Sequence, residues 1–86
     1  MKLNLSADAQ AGPIYLQVKN CLEQMISSGQ LKKGETLPKA AEVAKTNNIP
    51  EAEVIRAYYE LVLANLLRKT QRKNLFGDTI VEYSVE

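Results

Sequence analysis

The sequence contains no histidine, no tryptophan and only one cysteine, Cys21, in 86 residues. A lone cysteine cannot close an internal disulfide. Without histidine, imidazole acid–base catalysis and the usual zinc ligand sets are excluded. Excess charge of one sign is also missing: 11 Lys and Arg oppose 10 Asp and Glu, a net charge of +1. No overall basic field draws such a chain onto nucleic acid, so any attraction must come from local clustering. No apolar run approaches the roughly 20 residues of a membrane span. Met1-Lys2 leads into an alternating Leu-Asn-Leu, not a signal-peptide core. There is no Ser/His/Asp set, no carboxylate pair in a recognisable cleft and no glycine-rich phosphate loop. The expectation is a cytoplasmic domain that is not an enzyme, has no cofactor and no metal, and does not engage a membrane.

What is present suits one small folded unit. Hydrophobic residues make up 45% and charged residues 24%, an ordinary globular balance, and the length leaves no room for a second core. Residues 1–5 alternate apolar and polar side chains, which predicts a short edge strand able to pair with another strand or with a second copy. A small, polar linker follows over 6–12. Pro13 then opens a helix, as its fixed φ and missing N–H allow. Ile14, Val18, Cys21, Leu22 and Met25 form one stripe of 3.6-residue period, with Cys21 a core thiol. Gly29 stands where a left-handed C-cap belongs. Leu31 and Leu37 flank a turn at Lys32-Lys33-Gly34-Glu35 between short extended pieces.

A second helix is predicted from about 39 to 46, burying Ala40, Val43 and Ala44, and broken by Asn47-Asn48. A third runs from about 50 to 65 with Val54, Ala57, Tyr58, Leu61 and Val62 inward. Tyr15, Tyr58 and Tyr59 read as core or rim. Two strands around a polar tip, from 68 to 83, predict a β-hairpin. The fold class is mainly α with a small hairpin, a winged helix-turn-helix: N-terminal strand and linker 1–12, three-helix core 13–67, wing 68–83.

This order of elements carries a family resemblance. Pro13-Ile14-Tyr15-Leu16-Gln17-Val18, then Ser28-Gly29-Gln30-Leu31-Lys32-Lys33-Gly34-Glu35-Thr36-Leu37-Pro38, and then Glu42-Val43-Ala44 match a known pattern. Val54-Ile55-Arg56-Ala57-Tyr58-Tyr59-Glu60-Leu61 and Gly77-Asp78-Thr79-Ile80-Val81 continue it. Over about residues 13–81 the chain resembles the DNA-binding domain of GntR-type bacterial transcription regulators, in particular their short YtrA-like branch. The resemblance implies double-stranded DNA as partner and a homodimer. Family members usually continue into an effector or dimerisation region, whereas this chain stops after the wing. If residues 1–86 are the whole protein, the expectation is a domain without a ligand sensor.

The chain departs from the family where the family contacts DNA. After Leu-Pro the family usually places a Ser and, two residues on, an Arg; here stand Lys39 and Ala41. The head of the third helix is Pro50-Glu51-Ala52-Glu53, and an Arg common after its first Val is replaced by Ile55. Between 50 and 60, three Glu oppose Arg56 alone, whereas reading base edges needs Arg, Lys, Asn or Gln. Positive charge gathers in the wing instead, which is longer than the family's usual one. The candidate DNA contacts are therefore Arg68, Lys69, Gln71, Arg72, Lys73 and Asn74, with Lys39, Lys45 and Arg56 as helpers. A charge run on a hairpin tip is equally what a solvated surface looks like, so both readings stay open. Glu51 and Glu53 are accounted for by the positive helix end alone. The alternative reading makes Glu51, Glu53 and Glu60 a docking face for a basic protein, with DNA reading lost.

Overall fold

The structure is a computed structural model that describes residues 1–3, 5 and 12–86. Three helices lead into a two-stranded hairpin: α1 (Ile14–Ser27), α2 (Ala40–Asn47), α3 (Glu51–Leu63), β1 (Leu67–Lys73) and β2 (Thr79–Val85). None of these helices is long and apolar enough to cross a membrane.

Each helix ends where its residues stop favouring it. Pro13 precedes α1, and at the other end Gly29 takes φ +84, a conformation that costs glycine little. The second helix runs through Asn47 rather than breaking before it. Asn48, in the left-handed region at φ 53 and ψ 51, is the residue that stops it, a state Asn tolerates better than most. Asn47 stays helical because its side chain has other work. Its Nδ2 donates to the carbonyls of Met1 (2.9 Å) and Val43 (2.8 Å), and its Oδ1 accepts the N–H of Leu3 (2.7 Å).

That amide corrects the expected N-terminal edge strand. The described residues of the segment, 1–3 and 5, form no strand. Asn47 takes up the ladder bonds of Met1 and Leu3, and Leu3 is buried in the core. Most of the linker expected over 6–12 lies outside the described residues.

The core is the meeting of α1, α2 and α3 with the base of the hairpin: Val18 and Leu22 from α1, Val43 and Ala44 from α2, Val54, Ala57, Tyr58 and Leu61 from α3, and Leu67 and Val85 from the wing. Cys21 and Val62, expected inside, are half-buried and packed against it. The wing is antiparallel, pairing Leu67 with Val85 and Lys73 with Thr79, two residues longer at its C-terminal end than the alternation suggested. Residues 34–37 lie along the other edge of β2. The Leu37 N–H donates to the Tyr83 carbonyl at 2.7 Å and the Val85 N–H to the Glu35 carbonyl at 2.9 Å. This leaves the outer edge of β1 without a strand partner among the described residues, and its cations, Arg68-Lys69 and Arg72-Lys73, disfavour strand addition there.

Candidate nucleic-acid interface

Tyr58 fixes the relative placement of the two halves of the helix-turn-helix. Its hydroxyl donates to the Pro38 carbonyl at 2.8 Å, just ahead of α2, and its ring packs on Tyr83 of β2 with centroids 4.9 Å apart. Burial in the first place, and the neighbouring Tyr83 and Glu42 after it, push the phenol well above its ordinary pKa. One side chain thus joins α3, the start of α2 and the wing.

These three elements enclose a groove of about 620 Å³, lined by residues 36–42, by Glu51 and Ile55 of α3, and by Lys69 and residues 81–83 of the wing. Lys39, Lys69, Glu42 and Glu51 are the charged residues that line it besides Glu82, whose carboxylate is held by Arg72 on the far face of the wing. Lys39 is also the N-cap of α2 and makes no side-chain capping bond, so the first amides of that helix lack the oxygen that a Ser or Asp would supply.

Strand alternation divides the wing cations into two sets. Lys69, Gln71 and Lys73 share the face of Leu67, Val81, Tyr83 and Val85, the face that turns toward the groove. Arg68 and Arg72 lie on the opposite face and are paired. The Arg68 guanidinium meets the Glu86 carboxylate at 3.3 and 3.4 Å, and Arg72 meets Glu82 at 2.9 and 3.1 Å. Among the described residues, Lys69 and Lys73 have no ion-pair partner. A cluster of four in the sequence is a groove-side pair and a neutralised pair in space. Asn74, beyond them, builds the turn: its Oδ1 accepts the N–H of Phe76 at 2.9 Å and of Asp78 at 3.0 Å.

The acidic head of α3 divides as well. Glu51 is exposed and lines the groove. Glu53 is half-buried, and its Oε2 accepts the backbone N–H of Tyr15 at 2.9 Å. It supplies the capping oxygen that Pro13 cannot give α1. Three residues on, the Arg56 guanidinium sits 3.7 Å from the centre of the Tyr15 ring, a cation–π contact away from the groove. Lys45, in the last turn of α2, complements the negative helix end. Glu60 lies half-buried on α3, outside the groove lining.

Sequence reasoning missed the apolar part of this surface. Ala52, Ile55, Tyr59 and Leu63 fall on one exposed stripe of α3, with Ile55 45%, Tyr59 58% and Leu63 64% exposed. The spacing of this stripe was readable, but the stronger stripe at Val54, Ala57, Tyr58 and Leu61 masked it.

The comparisons agree with this architecture. The chain matches the family model described as bacterial regulatory proteins, gntR family, over residues 14–76. No curated protein matches. Among solved structures it is similar to YtrA from Sulfolobus acidocaldarius, a GntR-family transcription factor, with 27% identity and a TM-score of 0.75. The match covers all of this chain and 64% of that protein, so the chain spans less than two thirds of its length. On a three-helix winged fold and a family match over most of its residues, the chain belongs to the GntR family.

Proposed function

We propose that this domain is a DNA-binding protein of GntR type, a cytoplasmic transcription regulator that holds double-stranded DNA chiefly through its wing. The observation that carries this reading is the convergence of Lys39, Lys69, Gln71 and Lys73 on the side where α2, α3 and the wing meet. Lysines there meet phosphates, which fixes position and register without reading sequence. The uncapped amides of α2 beside Lys39 favour an anion at the same place.

Base reading is weak on this account. The outward stripe of α3 offers Ala52, Ile55 and Tyr59 where base-edge donors and acceptors would stand, and apolar groups discriminate little beyond the thymine methyl. Glu51 opposes the phosphates across the groove. Binding is therefore of low sequence preference and strongly salt-dependent. A homodimer belongs to the reading, since two-fold assembly is how such domains match two-fold sites.

One observation favours a second reading. An exposed stripe of Ile55, Tyr59 and Leu63 beside Glu51 suits a protein partner with a mixed apolar and basic surface. Fluorescence anisotropy with a pool of random duplexes, followed across a salt series, separates the two. The DNA reading expects binding at low salt that weakens by roughly one logarithmic unit per phosphate contact for each decade of salt. Absence of binding at the lowest salt would reject it and leave the partner reading standing.

A further inference from the structure

The wing ends in two adjacent apolar side chains that stand almost wholly in solvent: Leu75 is 101% and Phe76 89% exposed. A single exposed apolar residue needs no explanation. A Leu-Phe pair at the outermost point of a projecting hairpin is different, because it is the part of the molecule that meets any partner first. The pair is also held in place. Asn74 Oδ1 accepts both the Phe76 and Asp78 N–H groups, the Asn74 N–H donates to the Asp78 carbonyl at 3.0 Å, and Gly77 closes the turn at φ +83. No core contact explains that rigidity, since burial fades along the hairpin from Leu67 and Val85 at its base to full exposure at the tip.

We infer that Leu75 and Phe76 form a wedge that enters the minor groove of duplex DNA, parts a base step and kinks the helix. This rests on the DNA-binding reading above and adds to it the chemistry of the tip. Charge complementarity selects the occupant. Lys73 leads into the turn on the same strand face as Lys69, so two cations approach the apolar pair along β1 and can hold backbone phosphates beside an opened step. Asp78 is the one carboxylate in the turn and is exposed, a single negative charge against the two lysines of β1. Apolar side chains inserted between base steps unstack them and bend DNA by about 20–90°, most readily at flexible pyrimidine–purine steps. A helix that reads bases poorly then gains discrimination from how easily the site deforms.

The experiment uses the full chain and a duplex carrying end-positioned donor and acceptor dyes, with 2-aminopurine placed at a central TA step. The wild-type protein is expected to raise energy transfer and to brighten the 2-aminopurine. Leu75→Ala with Phe76→Ala should abolish both signals, weaken binding on the order of tenfold, and leave the salt slope unchanged. The melting temperature of that variant should also stay unchanged, since neither side chain packs on the core. Lys69→Ala with Lys73→Ala should instead flatten the salt slope. Wild-type binding without bending or unstacking overturns the wedge while leaving the DNA reading intact. Failure of the wild type to bind any duplex overturns both. Capture by anionic phospholipid vesicles with no bending of DNA would assign the tip to a lipid surface and likewise overturn the proposal.

Discussion

The Glu53 carboxylate accepts the backbone N–H of Tyr15 at 2.9 Å, while Arg56, one turn further along α3, covers the Tyr15 ring. The third helix therefore clamps the start of the first from two directions. A carboxylate at the head of the third helix is thus part of the scaffold. Glu53→Ala should lower stability by about 1–2 kcal/mol, the scale of a lost charge-assisted capping bond. Glu53→Gln, which keeps an acceptor oxygen, should lose less than half of that. Chemical denaturation of both variants checks this, and equal stability of Glu53→Ala and wild type would reject the clamp.

Glu51 should behave in the opposite way. It is exposed, it lines the groove, and no bond between its side chain and another described residue is seen. Glu51→Arg should tighten DNA binding by on the order of 1–3 kcal/mol, as a repulsion becomes a contact. Stability should fall by only the exposed helix-end contribution, about 0.3–1 kcal/mol. Anisotropy titrations of the single variant suffice; unchanged affinity would show that this face stays clear of DNA.

The two halves of the wing charge should separate in a salt series. Lys69→Ala with Lys73→Ala is expected to flatten the salt slope by about two units, one for each phosphate contact. Arg68→Ala with Arg72→Ala removes cations already neutralised by Glu86 and Glu82, so the slope should change much less. Equal losses from the two pairs would mean that the ion pairs open on binding and that both faces of the wing are used.

Tyr58 sets an alkaline limit. Its phenol is held protonated in the fold by burial, above the value of about 10 that it has when unfolded. The contribution is fully present below pH 10. It is lost as the pH rises above that, because the unfolded chain releases the proton while the folded chain keeps it, at up to about 1.4 kcal/mol per pH unit. Tyr58→Phe should be less stable than wild type by roughly 1 kcal/mol at neutral pH, for the bond to Pro38. That gap should narrow as pH climbs past 10. Denaturant melts of the pair between pH 7 and pH 11 test this, and a constant gap would argue against it.

The sequence by itself determined the helix-turn-helix and the wing. Helical and strand periodicities survive any packing arrangement that buries them, and the stripe at Val54, Ala57, Tyr58 and Leu61 admits one inward face. Gly29 and Asn48 occupy the left-handed positions that their chemistry favours, although the stop at Asn48 rather than Asn47 could not be read locally. Only the tertiary structure decided which charges are free. Residues 68–73 look like one basic cluster along the chain, but strand alternation sends Lys69 and Lys73 one way and Arg68 and Arg72 the other, toward carboxylates 10 and 18 residues away. Glu51 and Glu53 look equivalent until α1 is packed across the head of α3. Asn47 looks like a helix breaker until Leu3 and Met1 arrive beside it. In each case the partner lies far off in sequence, and hydrogen bonds and ion pairs depend on distances of a few ångströms that local pattern does not encode.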